Sequence, residues 1–376
     1  MLRTRLAAAL LALAAALLAL AAARPAEAVS DAPLSVGTPG IFRGLFLEMP
    51  LADARQEEAA SLDVRWWLSN DWSDPTSLTK NGHVVQVQQD AQTDVLQLSA
   101  TLPWSLLGGP AWLSRVRTAA DLRLMERWGG WTDTPIERWH RLVGAWSFLR
   151  DRYPPDAVHV RLSEDGGPTL ARIDHAQPAL SDLALRTQVT LLEGGARADG
   201  EPRWAVAARG DLKLPTGRLA LMGGSEGVDA GLGLATTLAP TPWFTFHGMG
   251  ALRYVSPLPH AFPLRVEPVQ WGLDLSLVAR LHRLVALLLE DRLSSSLFQG
   301  GWSLPSGTDE PEATAYYTLF KPYNQISGGL RIGEATIFVC EDFTPGGRVH
   351  GDPGPRWFYN SNSPDVVLGV AWARRL

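Results

Sequence analysis

In this chain of 376 residues, a single continuous apolar run at the N-terminus is followed by hydrophobic residues at every second position, and that contrast constrains the fold more than any other feature. From Arg203 to Leu214 the residues Arg203, Arg209, Asp211 and Lys213 share one parity, while Trp204, Val206, Leu212 and Leu214 share the other. A period of two is that of a β-strand with one apolar and one charged face. After the N-terminal run no stretch has the length of a transmembrane helix, so a membrane location for such a chain requires a closed sheet.

The same alternation runs through Leu62 to Asn70, His83 to Asp90, Val95 to Trp104, Leu183 to Leu191, Arg203 to Leu214, Val228 to Leu238, Trp243 to Tyr254, Gln270 to Arg280, His282 to Leu293, Gln325 to Gly333, Ala335 to Asp342 and Val366 to Leu376. His83 to Asp90 and Val95 to Trp104 are expected to form a hairpin. The count is about twelve, an even number within the bacterial range. The expected fold is therefore all-β, an antiparallel transmembrane β-barrel of about 12 strands over residues 61–376. Turn signals such as Glu193-Gly194-Gly195, Pro240-Thr241-Pro242 and Gly346-Gly347 separate the strands. The long segments 105–178, 294–324 and 344–363 are expected outside the membrane, and the joints of one to three residues as periplasmic turns.

The N-terminal run has the parts of a secretory signal peptide over 1–28: basic Arg3 and Arg5, an Ala/Leu core from Leu6 to Ala23, and Ala26-Glu27-Ala28 before Val29. Its rival is an uncleaved anchor. Without 1–28 the balance is 31 basic to 38 acidic residues, net −7, a poor match to nucleic acid. Cys340, the one cysteine, allows neither an internal disulfide nor a Cys-based zinc site. Residues 29–60 read as a periplasmic lead-in or short plug, with a helical look from Leu51 to Ala60.

Residues 105–178 break the alternation and read as a helical insertion. Thr134-Pro135-Ile136-Glu137 has the form of a capping box, predicting a helix to about Phe148 with Ile136, Trp139, Val143 and Trp146 on one stripe. Aromatic residues fall near strand ends, as in the girdles of membrane barrels: Trp104, Trp204, Trp243 with Phe244, Tyr254, Trp271, Tyr323 and Trp357 with Phe358 and Tyr359. The last strand keeps Val366, Leu368, Val370, Trp372 and Leu376 in one parity and resembles the assembly signal of outer-membrane barrels. It ends in Leu where Phe is usual, with Arg374 in the outward parity.

Trp67-Leu68-Ser69-Asn70, then Gly129-Gly130 followed by Asp133, Ile136-Glu137, His140 and Gly144, then Leu212-Lys213-Leu214-Pro215-Thr216-Gly217, carry a resemblance to a family of Gram-negative exported proteins catalogued as domain of unknown function 3187. It spans nearly all of the chain after the signal, and implies a barrel without an assigned activity.

Candidate chemistry is sparse. Glu137 and His140 share a helix face in a Glu-x-x-His pattern, but a di-metal site needs a second copy, and none is present, so no metal ligand or cofactor is expected. His247, with Thr245 and Ser276 in the same inward parity, keeps a lipid-acting hydrolase open as a third reading, although no Gly-x-Ser-x-Gly occurs. The inward parity gathers Arg65, Arg186, Arg203, Arg209, Asp211, Lys213, Asp229, His247, Arg253, Asp274, Arg280, Glu290, Arg292 and Arg331 as candidate lumen-lining residues. Such a set either hydrates a channel or neutralises itself and fills it. The first expectation is a narrow outer-membrane pore or transporter for a small or amphiphilic solute, with a weak anion preference. The alternative is a closed scaffold that binds a partner through the insertion. A soluble periplasmic β protein is a further reading, and would extract without detergent. Expected partners are outer-membrane lipids and the barrel assembly machinery.

Overall fold

The computed structural model describes residues 29–37, 40–143, 154–197, 200–259, 262–303, 319–320, 322–342 and 366–376. The signal segment 1–28, Gly144, Trp146, Gly346-Gly347 and Trp357 to Tyr359 lie outside them. The strands are β1 Ser61–Lys80, β2 His83–Pro103, β3 Val116–Trp128, β4 His159–Glu164, β5 Thr169–Ile173, β6 Gln177–Leu180, β7 Leu183–Ala196, β8 Pro202–Leu214, β9 Asp229–Thr241, β10 Phe244–Tyr254, β11 Val269–His282, β12 Val285–Ser294, β13 Tyr323–Ile332, β14 Ala335–Asp342 and β15 Val366–Arg375.

Twelve of them, β1 to β3 and β7 to β15, close into an antiparallel barrel: each pairs with its ring neighbour, β3 pairs with β7, and β15 returns to β1 from Ser61↔Arg375 to Asn70↔Val366. Closure leaves no open edge in this ring, the condition for a sheet to sit in hydrocarbon. The outer face of β8 to β12 carries exposed Leu232, Leu234, Leu238, Phe246, Leu252, Leu273, Leu275, Leu287 and Leu289. An apolar surface of that extent is stable against lipid and not against water. Exposed Trp204, Trp243 and Phe244 mark one rim, Tyr254 and Trp271 the other. The eleven residues of β10, at about 3.4 Å per residue and about 40° tilt, rise roughly 26 Å, matching the apolar band of such barrels. Tyr323 departs from the expected girdle: it is fully buried, facing inward beneath the Arg43 guanidinium at 4.7 Å.

The connections after β2, β7, β9, β11 and β13, together with both chain ends of the barrel, lie at one end; those after β3, β8, β10, β12 and β14 lie at the other. By the usual asymmetry the first end is periplasmic. At the far end β1 and β2 project beyond their neighbours and meet at Asn81-Gly82, both at positive φ, in the mirror-image turn that matches strand twist.

The expected early strands are corrected. His83 to Asp90 and Val95 to Trp104 do not pair with each other; they are two halves of one 21-residue strand, β2, paired along its length with β1. Residues 105–178 are not a helical insertion either. They contain β3, a full member of the wall, then a short helix Asp133–Val143, then the β4–β5 hairpin and the start of β6. The count of twelve came out because one strand was split and another missed. β3 escaped detection because its outward positions Thr118, Ala120 and Glu126 dilute Leu122 and Leu124. Glu193-Gly194-Gly195 is the end of β7, not a turn, and Leu51 to Ala60 is irregular, not helical.

β4 takes the same edge of β2 as β3 does, pairing at Val85 to Asp90 where β3 pairs from Gln92 to Pro103. After β3, residues 129–133 leave the sheet and cover its outer face. Asn70 and Gln92, in the outward parity, are buried under them. The Asn70 amide donates to Thr132 Oγ1 at 2.7 Å and Asp133 Oδ1 at 2.8 Å, and Gln92 Oε1 accepts from the Trp131 amide and the Thr132 hydroxyl. Gly129 permits this approach: a Cβ there would lie 1.7 Å from the Asp156 carbonyl oxygen. The helix begins two residues earlier than the capping box predicts, at Asp133 rather than Pro135, Thr132 O accepting from the Ile136 amide. Ile136 is buried, and Glu137 O accepts from Arg141 Nε. The side chains of Trp139 and His140 are outside the described residues.

Candidate functional site

Residues 29–58 occupy the lumen. Val29 starts at the periplasmic mouth, its amide donating to Arg283 O in the β11–β12 turn. The chain rises past β13, β12 and β1, turns over near residues 40–46 at the far rim, where Arg43 donates to Ser295 O at 3.1 Å, and descends past β9, β8 and β7 into β1. Two apolar contacts hold the legs apart. The rising leg sets Val29, Leu34 and Val36 against Trp67, Val95, Val278, Leu288, Phe338 and Val367. The descending leg sets Leu47, Met49, Leu51 and Ala54 against the small Ala205, Ala207 and Ala235 and against Met249. Over the turn, Ile41, Phe42, Leu45 and Phe46 join an apolar cap built from β1, β2, β4, β5 and the long connections.

An irregular segment in a barrel interior has backbone groups that no ladder satisfies, and each needs a partner. The inward arginines supply it. Arg331 donates to Ser30 O at 3.0 Å and Ala32 O at 2.8 Å, and Arg65 to Leu34 O at 2.9 Å and Ser35 O at 2.6 Å. Arg253 donates to Leu47 O at 2.6 Å, Arg209 to Pro50 O at 2.5 Å, and Arg117 to Asp53 O. The plug's amides are met by acceptors: Ser35 N donates to Glu290 at 2.9 Å, Leu47 N to Asp229 at 2.8 Å, Ala54 N to Thr237 Oγ1 at 2.9 Å. Guanidinium suits the task because it stays charged and offers several donors in a fixed fork, so one nitrogen can hold a carbonyl while others hold a carboxylate. Arg209 does this, with Asp211 on Nε and Nη2 at 2.7 and 2.6 Å.

Most of the other candidates are held in ion pairs. Arg186 meets Asp121 at 2.8 Å, Arg292 meets Asp274 at 2.6 Å, and Lys213 reaches Asp182 at 2.6 Å and Asp229 at 3.3 Å. Arg280 lies 3.5 Å from Asp31. Arg203 keeps the inward parity but sits exposed at the periplasmic end of β8. His247 faces Ser276 across β10 and β11, yet its nitrogens contact Thr237 Oγ1 at 3.0 Å and Asp31 O at 2.9 Å, leaving no serine at the ring.

Sequence reasoning missed Arg117, Asp121, Arg123 and Arg127 on β3, and Asp31, Asp53 and Arg55 on the plug. The alternate placing of the β3 charges against Leu122 and Leu124 was the available signal. Asp31 is the hub at the lower end: Arg55 reaches it at 2.7 Å and Arg197 at 2.7 Å. Burial pushes its carboxyl up, but the bonds and charges of Arg55 and Arg197 outweigh that and hold it far below the usual carboxylate range. Asp53, likewise opposed by burial and carried by Arg55, is brought down to about 2. Both stay ionised at any physiological pH.

Residues of the short motifs quoted from the sequence cluster at the far rim on either side of β3: Asn70 with Asp133, and Lys213 with Asp182, which also accepts from the Gly217 amide at 2.7 Å. Asp182 is placed by a one-residue irregularity between β6 and β7, across which the inward parity switches from Ala179 to Gln188. Among the described residues no helix is long and apolar enough to cross a membrane, and no group of acidic, His or Cys side chains could hold a metal.

No protein-family model matches the chain, and no curated protein does. Among solved structures it is similar to the COG4313 outer membrane channel from Pseudomonas putida F1, at 12% identity over 86% of this chain and 98% of that one, TM-score 0.46. The CymD monoaromatic hydrocarbon channel follows at 10% identity, 85% and 89% coverage and TM-score 0.34, and the P. putida toluene transporter TodX at 8%, 85% and 91%, and 0.33. With every TM-score below 0.5, nothing these proteins bind is transferred to this chain by the likeness.

Proposed function

We propose that this protein is a channel of the bacterial outer membrane for a small apolar or amphiphilic solute, closed at rest by its own residues 29–58. The observation that carries the reading is the way the plug is held. Arg65, Arg209, Arg253 and Arg331 bond to its backbone carbonyls, contacts that water can replace one for one; among the described residues no β-ladder ties the plug to the wall, which it joins covalently only where the chain runs on into β1. The apolar contacts along both legs and at the cap favour a solute that is itself largely apolar. With the plug withdrawn, the same guanidiniums face the lumen, so any charged species admitted is an anion in preference to a cation. The motif residues shared with the domain of unknown function 3187 family fit this reading as rim supports.

The test is planar-bilayer conductance of the refolded chain from Val29, compared with an Arg65→Ala, Arg331→Ala double variant that frees the rising leg. Each protein is first checked for the heat-dependent gel mobility of a closed barrel. The expected result is a nearly silent wild type and frequent discrete openings in the variant. Two folded but silent barrels would overturn the channel reading in favour of a closed scaffold, whose exposed Trp131 and Leu142 on the outer wall would then be the surface to probe.

A further inference from the structure

We propose that His247 is a proton-sensitive pin for the plug: neutral, it ties both legs to the β9–β10 wall, and protonating it loosens them. This rests on the reading that the plug closes the lumen, but its test reads plug order, not conduction.

The geometry is a proton count. Nε2 of His247 lies 2.9 Å from Asp31 O on the rising leg, and a carbonyl only accepts, so that nitrogen carries a hydrogen. Nδ1 lies 3.0 Å from Thr237 Oγ1, which accepts the Ala54 amide of the descending leg at 2.9 Å. The Thr237 hydroxyl has one hydrogen and two candidate acceptors, Nδ1 and Asp53 Oδ1, each at 3.0 Å. With a neutral ring the hydrogen goes to Nδ1, and Asp53 Oδ1 still accepts from the Arg55 amide and Nε, both at 3.0 Å. Every group is satisfied, and one imidazole joins the two legs.

A proton on Nδ1 turns it from acceptor to donor, forces the hydroxyl round to Asp53, and adds a cation. The groups already facing this spot are the carboxylates of Asp31 and Asp53 and the guanidinium of Arg55 from the plug, Arg197 just beyond β7 and Arg280 from β11. Arg117 from β3 is also there, neutralised by Glu57 at 2.8 Å. β10 adds the uncharged Thr245, whose hydroxyl bonds Asp31 at 3.0 Å, and β11 adds Ser276. Protonation thus adds a further positive charge beside the guanidiniums of Arg55, Arg197 and Arg280, at a site buried from water. Since both carboxylates stay ionised far below neutrality, the imidazole is the member of this set that gains a proton as pH falls. The pin holds while the ring is neutral and is lost as the imidazole takes up its second proton.

The test is hydrogen–deuterium exchange of residues 29–58 in the full mature barrel at pH 8 and pH 5, corrected for intrinsic exchange. Plug peptides containing Asp31 and Ala54 are expected to lose about tenfold in protection at pH 5 while the β-strand peptides do not change. His247→Gln should remove the pH dependence. Thr237→Val, which keeps the imidazole but deletes the relay, should lower protection at pH 8 and narrow the difference. A wild type equally protected at both pH values, tighter plug order at pH 5, or a His247→Gln variant with the same pH response would each overturn the proposal. A pH response that vanishes in His247→Gln, in a barrel that never conducts, would keep the pin and discard only the channel.

Discussion

The wall from β8 to β12 and the wall from β1 to β3 are parts of one barrel, yet they obey different rules. In the first, Leu, Phe and Trp form an exposed apolar outer face, and inward residues are small, polar or charged apart from Met249, Val278 and Leu288, which pack on the plug. In the second, near the far rim, outward Asn70 and Gln92 are buried and hydrogen-bonded beneath residues 129–133, while inward Asp71 accepts the plug's Ile41 amide. Both faces of that sector meet protein. Alternating hydrophobicity therefore reports where lipid touches a strand, and falls silent where a strand has no lipid-facing side.

The comparison can be broken by exchanging the two chemistries. The largest expected effect is Leu234→Arg, on the outer face near the middle of β9. A cation at that depth should cost about 2–4 kcal/mol in unfolding from lipid vesicles. If the cost were negligible, this wall would not face hydrocarbon. Asn70→Leu places an apolar residue at the same parity in the covered sector. It should destabilise by about 1–3 kcal/mol, because Thr132 and Asp133 lose a donor; a neutral or stabilising result would mean that lipid, not protein, lies outside Asn70. Gly129→Ala should leave the barrel's heat-shifted mobility intact while exposing residues 129–143 to protease, since the added methyl collides with the Asp156 carbonyl. The smallest effect is Arg172→Gln on the projecting β4–β5 hairpin. Arg172 and His159 hold the Asp174 carboxyl below its usual range, so their contribution is present above that range and lost as pH falls. The pair is so exposed that a change of up to about 0.5 kcal/mol at neutral pH is all that thermal unfolding should show.

Legibility in the sequence followed the same division. β8 to β15 were located to within a few residues from alternation alone, apart from a shift of two or three at some ends. β2 was split because Gln89 to Asp94 is polar at both parities, a run that reads as a turn until its two protein partners are known. β3 was lost inside a segment whose capping box at Thr134 drew attention to an eleven-residue helix. The inward arginines were legible as a set, but their engagement was not. They look like the lining of an open lumen as long as the segment that fills it has no pattern of its own.

The sequence by itself determined that this chain closes a barrel, because a strand between lipid and interior must alternate whichever strand is beside it, and that demand is written locally, residue by residue. Only the tertiary structure decided what the barrel contains. Ser30 and Arg331 are 301 positions apart, and Asp31 and His247 216; their bonds join a non-periodic segment's carbonyls to side chains spread round the ring. A backbone carbonyl is the same at every residue, so no sequence pattern marks which ones an arginine will find.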